Sequence, residues 1–228
     1  MIDAVFFDLD GTLADTCPDM ARTVNVMRHR RGLAPLPEAQ VRPHVSRGAR
    51  GMILAAFEIT AEHPDFTAMR DEFLDIYGAN LCVGTRLFPG MEALLDRLER
   101  SGIAWGVVTN KFERFARPVV EALGLGSRAA VVIGGDTCAR AKPFPDPLLH
   151  AARSVGVAPA RALYVGDDER DVQAARAAGM RVVVAGYGYL GDGAPPAAWN
   201  ADAVVDSPAA LDAWIRSAAL VRAAGVEG

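Results

Sequence analysis

Two aspartates near the start of the chain, Asp8 and Asp10, directly follow the apolar run at 4–7. A buried strand that ends in two carboxylates points to a bound or reacting group, because an unpaired carboxylate is costly to bury. Phosphoryl transfer is one chemistry that uses such a pair: one carboxylate attacks phosphorus, and the other handles the proton of the leaving oxygen. We therefore predict Asp8 as a nucleophile that forms an aspartyl-phosphate and Asp10 as the group that moves the proton.

Further polar residues follow other apolar runs in the same way. They are Thr109 and Asn110 after 103–108, Lys142 after 129–134, and Asp167, Asp168 and Asp171 after 162–166. Carboxylates that converge in one crevice repel each other unless a cation neutralises them, and oxygen ligands beside water and phosphate are typical of Mg²⁺. The sequence therefore predicts a Mg²⁺ site, with Lys142 as an additional positive charge.

The elements that must position these residues alternate along the chain. Short apolar runs predict strands at 4–7, 103–108, 129–134, 162–166 and 181–186, with an edge strand at 202–205. Helical patterns lie at 90–101, 112–124, 146–156, 169–178 and 208–220. This alternation predicts an α/β fold with a parallel sheet, in which ligands bind outside the carboxyl ends of the strands. The acids described above lie at those ends.

The connection between the first two predicted strands is much longer than the others, because it spans roughly residues 14 to 102. A simple crossover does not need that length. We therefore predict a Rossmann-like core domain at 1–14 and 88–228 and an inserted helical cap domain at 15–87. Thr16 and Asp19 fit a capping box at the start of the first inserted helix.

Four motifs stand in order at the predicted strand ends: "DLDGT" (8–12), "VTN" (108–110), "KPFPDP" (142–147) and "GDDERD" (166–171). Together they resemble the motifs of the haloacid dehalogenase superfamily, and the insert after the first strand is similar to its C1-type cap. The resemblance covers essentially the whole chain. It implies roles for seven residues: Asp8 as nucleophile and metal ligand, Asp10 as general acid/base and metal ligand through its backbone carbonyl, Thr109 and Asn110 as phosphate contacts, Lys142 as charge balancer, Asp167 as direct Mg²⁺ ligand, and Asp171 as metal ligand or support.

The second aspartate of the first motif separates some reactions of this superfamily. Its dehalogenases lack that residue, since breaking a carbon–halogen bond requires no proton for an alkoxide, so Asp10 argues against a dehalogenase. Sugar phosphomutases keep it and stay as an alternative. A non-catalytic module that binds a phosphorylated metabolite is the alternative outside enzymes, and the complete set of acids argues against it. We predict a Mg²⁺-dependent phosphomonoesterase.

Two groups of phosphatases within the superfamily share features with this chain. "VTNK" (108–111) and "FPGM" (88–91) are similar to phosphoglycolate phosphatases, whereas "SRGARGM" (46–52) and "VGDDERD" (165–171) are similar to N-acetylmuramic acid 6-phosphate phosphatases. We predict the first activity, with the second as the alternative. Both implied substrates carry a carboxylate, and we predict Arg47 or Arg50, near a helix start, as its contact.

Two residues near the predicted site receive ordinary structural interpretations. Asp168 is predicted to cap the helix that begins near Glu169. Lys111, which follows "VTN", is predicted to be a surface lysine, with a contact to substrate as the alternative.

Composition indicates which partners the chain can bind and in which compartment it works. The 228-residue chain carries a net charge of −4, and we find no cluster of Lys and Arg typical of nucleic-acid binding. Its three cysteines are far apart, which is typical of reduced cytoplasmic thiols. No basic and apolar leader precedes Asp8, and no apolar run approaches the roughly 20 residues of a membrane-spanning helix. We predict a cytoplasmic monomer or homodimer that acts on a small phosphate ester, without nucleic acid or membrane.

Overall fold

A computed structural model of the protein describes residues 1–191 and 193–223. Within these residues the strands are β1 (Ala4–Phe7), β2 (Ala14–Asp15), β3 (Arg86–Leu87), β4 (Ala104–Val108), β5 (Val132–Ile133), β6 (Ala162–Gly166), β7 (Arg181–Ala185) and β8 (Ala203–Val205). Six of them form a sheet with the order β5-β4-β1-β6-β7-β8, and every neighbouring pair in it is parallel. The predicted α/β fold with a parallel sheet is confirmed.

The helices lie on both faces of this sheet and in the segment between β2 and β3. In chain order they are α1 (Cys17–Arg30), α2 (Glu38–Val41), α3 (Gly48–Phe57), α4 (Phe66–Gly78), α5 (Met91–Arg100), α6 (Glu113–Ala122), α7 (Asp146–Ser154), α8 (Glu169–Ala177) and α9 (Pro208–Ala223), with a 3₁₀ turn at Arg42–Arg47. Helices α5, α6 and α9 pack on one face of the sheet, and α7 and α8 pack on the other. The result is a three-layer core.

Strand β1 shows why the apolar runs of the sequence are continuous rather than alternating. Val5 and Phe7 belong to the hydrophobic cluster on one face of the sheet, and Ala4 and Phe6 belong to the cluster on the other. All four side chains are fully buried, because a parallel sheet is covered by helices on both faces. The strand is therefore buried along its whole length, and a carboxylate placed directly after it needs a partner for its charge.

Residues 15–87, called here the inserted segment, contain α1 to α4 and pack around their own hydrophobic cluster, which includes Met27, Met52 and Phe73. The chain leaves and re-enters the core through the antiparallel ribbon of β2 and β3, in which Ala14 pairs with Leu87. The proposed domain division at 14/15 and 87/88 falls within this ribbon. It stays a prediction, and residues 192 and 224–228 of the proposed core lie outside the described residues.

The predicted elements differ from the structure mainly at their ends. The predicted strand at 129–134 is shorter, because only Val132 and Ile133 pair with β4. The other five predicted strands agree with the structure to within one residue at either end.

The predicted capping box at the start of α1 is wrong. The Thr16 hydroxyl donates to Asp10 rather than capping the helix. The Asp19 carboxylate is buried and accepts hydrogen bonds from the backbone N–H groups of Gly84 and Thr85 and from the Thr85 hydroxyl. Thr16 thus ties the start of α1 to the end of the first motif, and Asp19 ties it to the returning chain, 65 residues further on.

Candidate active site

The site lies where β1, β4 and β6 end side by side. Sheet order changes direction at β1, since the chain continues first to one side through β4 and β5 and then to the other through β6. Such a switch point opens a crevice at the carboxyl ends of the strands. Asp8 follows β1, Thr109 follows β4 and Asp167 follows β6, so the three strand ends bring their polar residues together as predicted.

Three buried carboxylates meet in this crevice. Oxygen atoms of Asp8, Asp167 and Asp171 lie within 4.8 Å of one another. Lys142 enters the same cluster, with Nζ 3.0 Å from Oδ1 of Asp8 and 2.7 Å from Oδ1 of Asp171. The Lys142 ammonium also donates to the hydroxyl of Tyr164 over 2.8 Å. The cluster therefore contains one ammonium group and three carboxyl groups.

The single ammonium group of Lys142 does not neutralise the three carboxylates of this cluster. Burial, together with the nearby Asp8 and Asp171 carboxylates, raises the pKa of Asp167 well above its ordinary value. Burial also raises the pKa of Asp171 to about 6, although Lys142 acts in the opposite direction. Oδ1 of Asp8 is buried and accepts no well-aligned hydrogen bond from the described residues, although Nζ of Lys142 is close. A divalent cation with oxygen ligands fits this donor set.

Asp167 is held by groups from three parts of the chain. Its carboxylate accepts hydrogen bonds from the Thr12 hydroxyl at 3.1 Å, the Tyr189 backbone N–H at 2.9 Å and the Ser46 hydroxyl at 3.2 Å. Gly11, at φ +86°, lies so close to Asp167 that a Cβ atom would collide with the carboxylate. Glycine is therefore required where the first motif turns away from the strand.

The two polar residues after β4 have different surroundings. The Asn110 side chain forms two hydrogen bonds with the backbone of Lys142, donating to its carbonyl at 2.9 Å and accepting from its N–H at 3.0 Å. Asn110 therefore fixes the loop that presents Lys142. Thr109 is buried and lines the cavity beside Asp8. Phosphate contacts by Thr109 and Asn110 stay predictions.

Asp168 is the N-cap of helix α8, as predicted. The Asp168 carboxylate accepts from the backbone N–H of Arg170, and the Asp171 carboxylate accepts from the backbone N–H of Asp168 at 3.1 Å, which forms a capping box. The Arg170 guanidinium bonds the Asp168 carboxylate and donates to the carbonyl of Ser46 in the inserted segment at 2.7 Å. The start of α8 thus joins the acid cluster to the inserted segment.

The prediction that Lys111 is a surface lysine is wrong. Only 6% of its side chain is exposed, and its Nζ lies 2.8 Å from Oδ1 and 3.0 Å from Oδ2 of Asp10. Burial alone would lower the pKa of the Lys111 ammonium, but the Asp10 carboxylate raises it above its ordinary value. Lys111 is therefore a charged member of the site rather than a solvated residue.

A cavity of about 400 Å³ opens above the acids. From the core, Asp8, Asp10, Lys111 and Lys142 are among the residues that line it, and from the inserted segment, Met20, Arg47, Arg70, Phe73, Leu74 and Tyr77. Arg50, the other arginine predicted to bind a carboxylate, lines a neighbouring cavity with Glu169 and Trp199. The structure therefore brings Arg47, rather than Arg50, to the cavity that contains the acids.

Several residues of the site had no predicted role. They include Tyr164 in β6 and Tyr77 in α4. The pairing of Ser46 with Asp167 depends on long-range packing and leaves no local pattern. Lys111 did leave a signal, since it directly follows the motif at the end of β4.

Comparisons with known proteins agree with this geometry. Residues 5–185 match the model of the family described as haloacid dehalogenase-like hydrolase. The chain belongs to this family, as the motifs predicted. No helix among the described residues combines the length and hydropathy needed to cross a membrane.

Relatives of similar length carry two different names. A phosphoglycolate phosphatase of Xanthomonas campestris pv. campestris is 51% identical over 212 residues, covering 91% of this chain and 94% of the relative. An N-acetylmuramic acid 6-phosphate phosphatase of Pseudomonas aeruginosa is 43% identical over 210 residues, covering 92% and 93%. A solved structure from Haemophilus somnus 129pt, described as a predicted phosphoglycolate phosphatase, has a TM-score of 0.80 at 30% identity and covers 92% of this chain and 96% of that one. The predicted class of enzyme, a phosphatase of the haloacid dehalogenase type, is confirmed.

Proposed function

We propose that the protein is a Mg²⁺-dependent phosphomonoesterase that works through an aspartyl-phosphate on Asp8 and acts on a small carboxylated phosphate ester, as a phosphoglycolate phosphatase does. The observation that carries the proposal is the cluster of three buried carboxylates within 4.8 Å, with Lys142 in contact with two of them, at the ends of adjacent parallel strands. Such a cluster fits a cation and a dianionic phosphate far better than it fits an empty protein interior.

Carboxylate oxygens of Asp8, Asp167 and Asp171, with the backbone carbonyl of Asp10, would hold the Mg²⁺ ion. When bound, Mg²⁺ neutralises the acids and draws electron density from the phosphoryl oxygens. The elevated pKa of Asp167 and the poorly satisfied Oδ1 of Asp8 support a cation at this position. Asp171 contacts Lys142 directly, so it also serves to orient the lysine.

The reaction proceeds in two steps on the protein's own groups. An oxygen of Asp8 forms a bond to phosphorus, the ester P–O bond breaks, and the leaving oxygen takes a proton from the Asp10 carboxyl group. Water then attacks phosphorus, its proton passes to the Asp10 carboxylate, and the bond between phosphorus and Asp8 breaks to release phosphate. Lys142, which lies 3.0 Å from Asp8, balances charge on the phosphoryl oxygens.

Arg47 is the proposed contact for the substrate carboxylate. It lines the cavity that contains Asp8, and it stands at the start of α3, where the helix N-terminus also favours an anion. A guanidinium can bind a carboxylate through two parallel hydrogen bonds. A carboxylated phosphate ester would thus meet the acid cluster and Lys142 with its phosphate group and Arg47 with its carboxylate.

The second candidate is an N-acetylmuramic acid 6-phosphate phosphatase, and the cavity favours it. A volume of about 400 Å³ falls within the range of roughly 300 to 1,000 Å³ that encloses drug-sized ligands. Phe73, Leu74 and Tyr77 give this space apolar and aromatic walls, which suit the face of a sugar ring rather than a two-carbon acid. The lactyl carboxylate of that substrate would meet Arg47 as well.

Mg²⁺ as the metal, the cytoplasm as the compartment, and a monomer or homodimer that binds neither nucleic acid nor membranes complete the proposal. Cys17, Cys82 and Cys138 are free thiols in the structure, which supports a reducing compartment. The net charge of −4 argues against an electrostatic nucleic-acid partner.

Release of phosphate from an aryl phosphate tests the activity itself. We expect turnover that requires Mg²⁺, stops with EDTA, and is abolished in Asp8→Asn, while Asp75→Asn on the exposed face of α4 retains it. A panel of phosphoglycolate, N-acetylmuramic acid 6-phosphate, glucose phosphates and aryl phosphate, compared by kcat/KM, then selects the substrate. Folded wild-type protein that binds these compounds but releases phosphate from none would instead support a metabolite-binding module.

A further inference from the structure

The chain contains only two lysines, Lys111 and Lys142, and its other side chains that are always positively charged are arginines. Both lysines lie in the site, with 6% and 3% of their side chains exposed. Lysine is rarely buried unless it is paired. The position of both in one cavity therefore calls for a reason beyond solubility.

Each of the two lysines contacts one aspartate of the first motif. Nζ of Lys142 lies 3.0 Å from Asp8, the proposed nucleophile, whereas Nζ of Lys111 lies 2.8 and 3.0 Å from the two carboxylate oxygens of Asp10, the proposed acid/base. The arrangement divides the site into a phosphate end and a leaving-group end. Lys111 belongs to the leaving-group end.

Asp10 is held on more than one side. Besides Lys111, the Thr16 hydroxyl donates to its Oδ1 at 2.6 Å. The Lys111 ammonium lies 4.9 Å from the centre of the Tyr77 ring, on α4 of the inserted segment, in a cation–π contact. The Tyr77 ring packs edge-on against Phe115 of the core. These contacts leave the Asp10 carboxyl group little freedom to rotate.

We infer that Lys111 is a positioning residue for the reaction: by contacting both oxygens of Asp10, it sets the direction in which that carboxyl group meets the leaving oxygen. The inference rests on the proposed function. A general acid acts only from within hydrogen-bond reach of the oxygen that it protonates. A carboxyl group free to rotate would miss that geometry for much of the time.

A leaving-group comparison tests this role, because Asp10 matters most when the leaving oxygen needs a proton. Phenyl phosphate and 4-nitrophenyl phosphate have nearly the same shape and carry no carboxylate, but nitrophenolate leaves without much help. For Lys111→Met we expect kcat/KM to fall about 30-fold with phenyl phosphate and about 3-fold or less with 4-nitrophenyl phosphate, given that general acid catalysis contributes about 10² to 10⁴-fold.

Controls separate this role from simple stabilisation. Arg114→Met, which removes an exposed cation nearby in α6, should leave both rates within about twofold of wild type. In an Asp10→Asn background, Lys111→Met should cost less than about twofold further, because its effect passes through Asp10. If Lys111→Met fails to fold, Lys111→Gln, whose shorter and uncharged side chain keeps only part of the contact with Asp10, should show a smaller loss that is again greater with phenyl phosphate than with 4-nitrophenyl phosphate.

Because the chain has two lysines, their ¹³C signals can report the contact between Lys111 and Asp10 directly. Protein labelled with ¹³C-lysine should show two ε-carbon signals, and Asp10→Asn should shift the Lys111 signal while the Lys142 signal stays in place.

The outcomes are distinguishable. Equal losses with both aryl esters, a loss confined to carboxylated substrates, or an unmoved Lys111 signal in Asp10→Asn would overturn the inference while the proposed function stands. Failure of the folded wild type to release phosphate from either ester and from every compound of the substrate panel would overturn the proposed function instead.

Discussion

On the core side of the cavity, polar groups stand at the ends of adjacent strands and meet within a few ångströms, whereas the inserted segment adds mainly apolar and aromatic side chains with two arginines. The core side is fixed by the sheet, because Asp8 and Asp167 cannot move without moving β1 and β6. The inserted side depends on how α3 and α4 pack over the core. On the proposed function, reaction type thus depends on the half of the site that the sheet holds in place, and substrate choice on the half attached through the ribbon of β2 and β3.

Lys142→Met is expected to have the largest effect, because it removes the ammonium from three buried acids. We predict a loss of about 10³-fold in kcat with phenyl and with 4-nitrophenyl phosphate alike, since Lys142 serves the phosphate end. The free energy of unfolding in EDTA should fall by about 3 to 5 kcal/mol, as when one partner of a buried ion pair is removed. Steady-state kinetics and urea unfolding measure the two effects.

The equal loss with both esters is what separates Lys142 from Lys111. A larger loss with phenyl phosphate would show that the two lysines share one role and that the division of the site into two ends is wrong.

The metal gives the next largest effect. At a Mg²⁺ concentration of about 100 times its Kd, the folded protein gains about 2.7 kcal/mol, which raises Tm by about 5 to 10 °C for a chain of this size. We expect Asp167→Asn to lose this response, because the substitution removes one of the proposed metal ligands. In EDTA the same variant should be at least as stable as wild type, since a buried carboxylate with a raised pKa is gone. Thermal unfolding with Mg²⁺ and with EDTA measures both.

Asp65→Asn, at an exposed position before α4, is the control and should keep the full Mg²⁺ response. A full response in Asp167→Asn would place the ion elsewhere.

On the core side, the positions of the acids at the strand ends could be predicted from sequence for a physical reason, whereas the buried position of Lys111 could not. A continuous apolar run identifies a strand buried on both faces, so the polar residue after it must lie at the sheet edge; Asp8 and Asp167 follow directly from this rule. Because β1 and β6 are neighbours in the sheet, their carboxyl ends lie close together.

The inserted side could be predicted only in outline, because its contacts join residues far apart in sequence. Thr16 and Asp19 matched a local capping pattern, yet their side chains bond Asp10 and the 84–85 backbone instead. The contact of Tyr77 with Lys111 depends on how α4 packs over the core, which no local sequence pattern gives. Lys111 itself was misassigned because solvent exposure is the usual state of lysine. Only the scarcity of lysine in the chain could have corrected that.

Asp19→Asn tests the contact between α1, where the inserted segment begins, and residues 84–85, where it returns to the core. We expect a smaller effect than that of the metal. Burial would raise the pKa of the Asp19 carboxyl, but hydrogen bonds from Thr85 and Gly84 and the charge of Arg22 hold it below its ordinary value of 3.8. A lowered pKa means that the carboxylate stabilises the fold at neutral pH and that this contribution is lost as the pH falls through the folded-state pKa. We expect Asp19→Asn to cost about 1 to 3 kcal/mol at pH 7.

The lowered pKa of Asp19 also predicts how the effect of the substitution changes with pH. The difference in unfolding free energy between wild type and Asp19→Asn should shrink as the pH falls below about 4. Urea unfolding at pH 7 and pH 3 measures it, with Asp75→Asn as the exposed control that should change little at either pH. A difference that grew on acidification would contradict the assigned hydrogen bonds.

The smallest expected effect distinguishes the two arginines of the inserted segment. Arg47 lines the cavity with the acids and Arg50 lines its neighbour, so Arg47→Ala should raise KM for carboxylated substrates about tenfold and Arg50→Ala less than about twofold. With phenyl phosphate, which has no carboxylate, both variants should stay near wild type. Equal changes in KM for phenyl phosphate and phosphoglycolate would remove Arg47 as the carboxylate contact. Substrate choice would then depend on the apolar walls formed by Phe73, Leu74 and Tyr77, and the inserted side would select by shape rather than by charge.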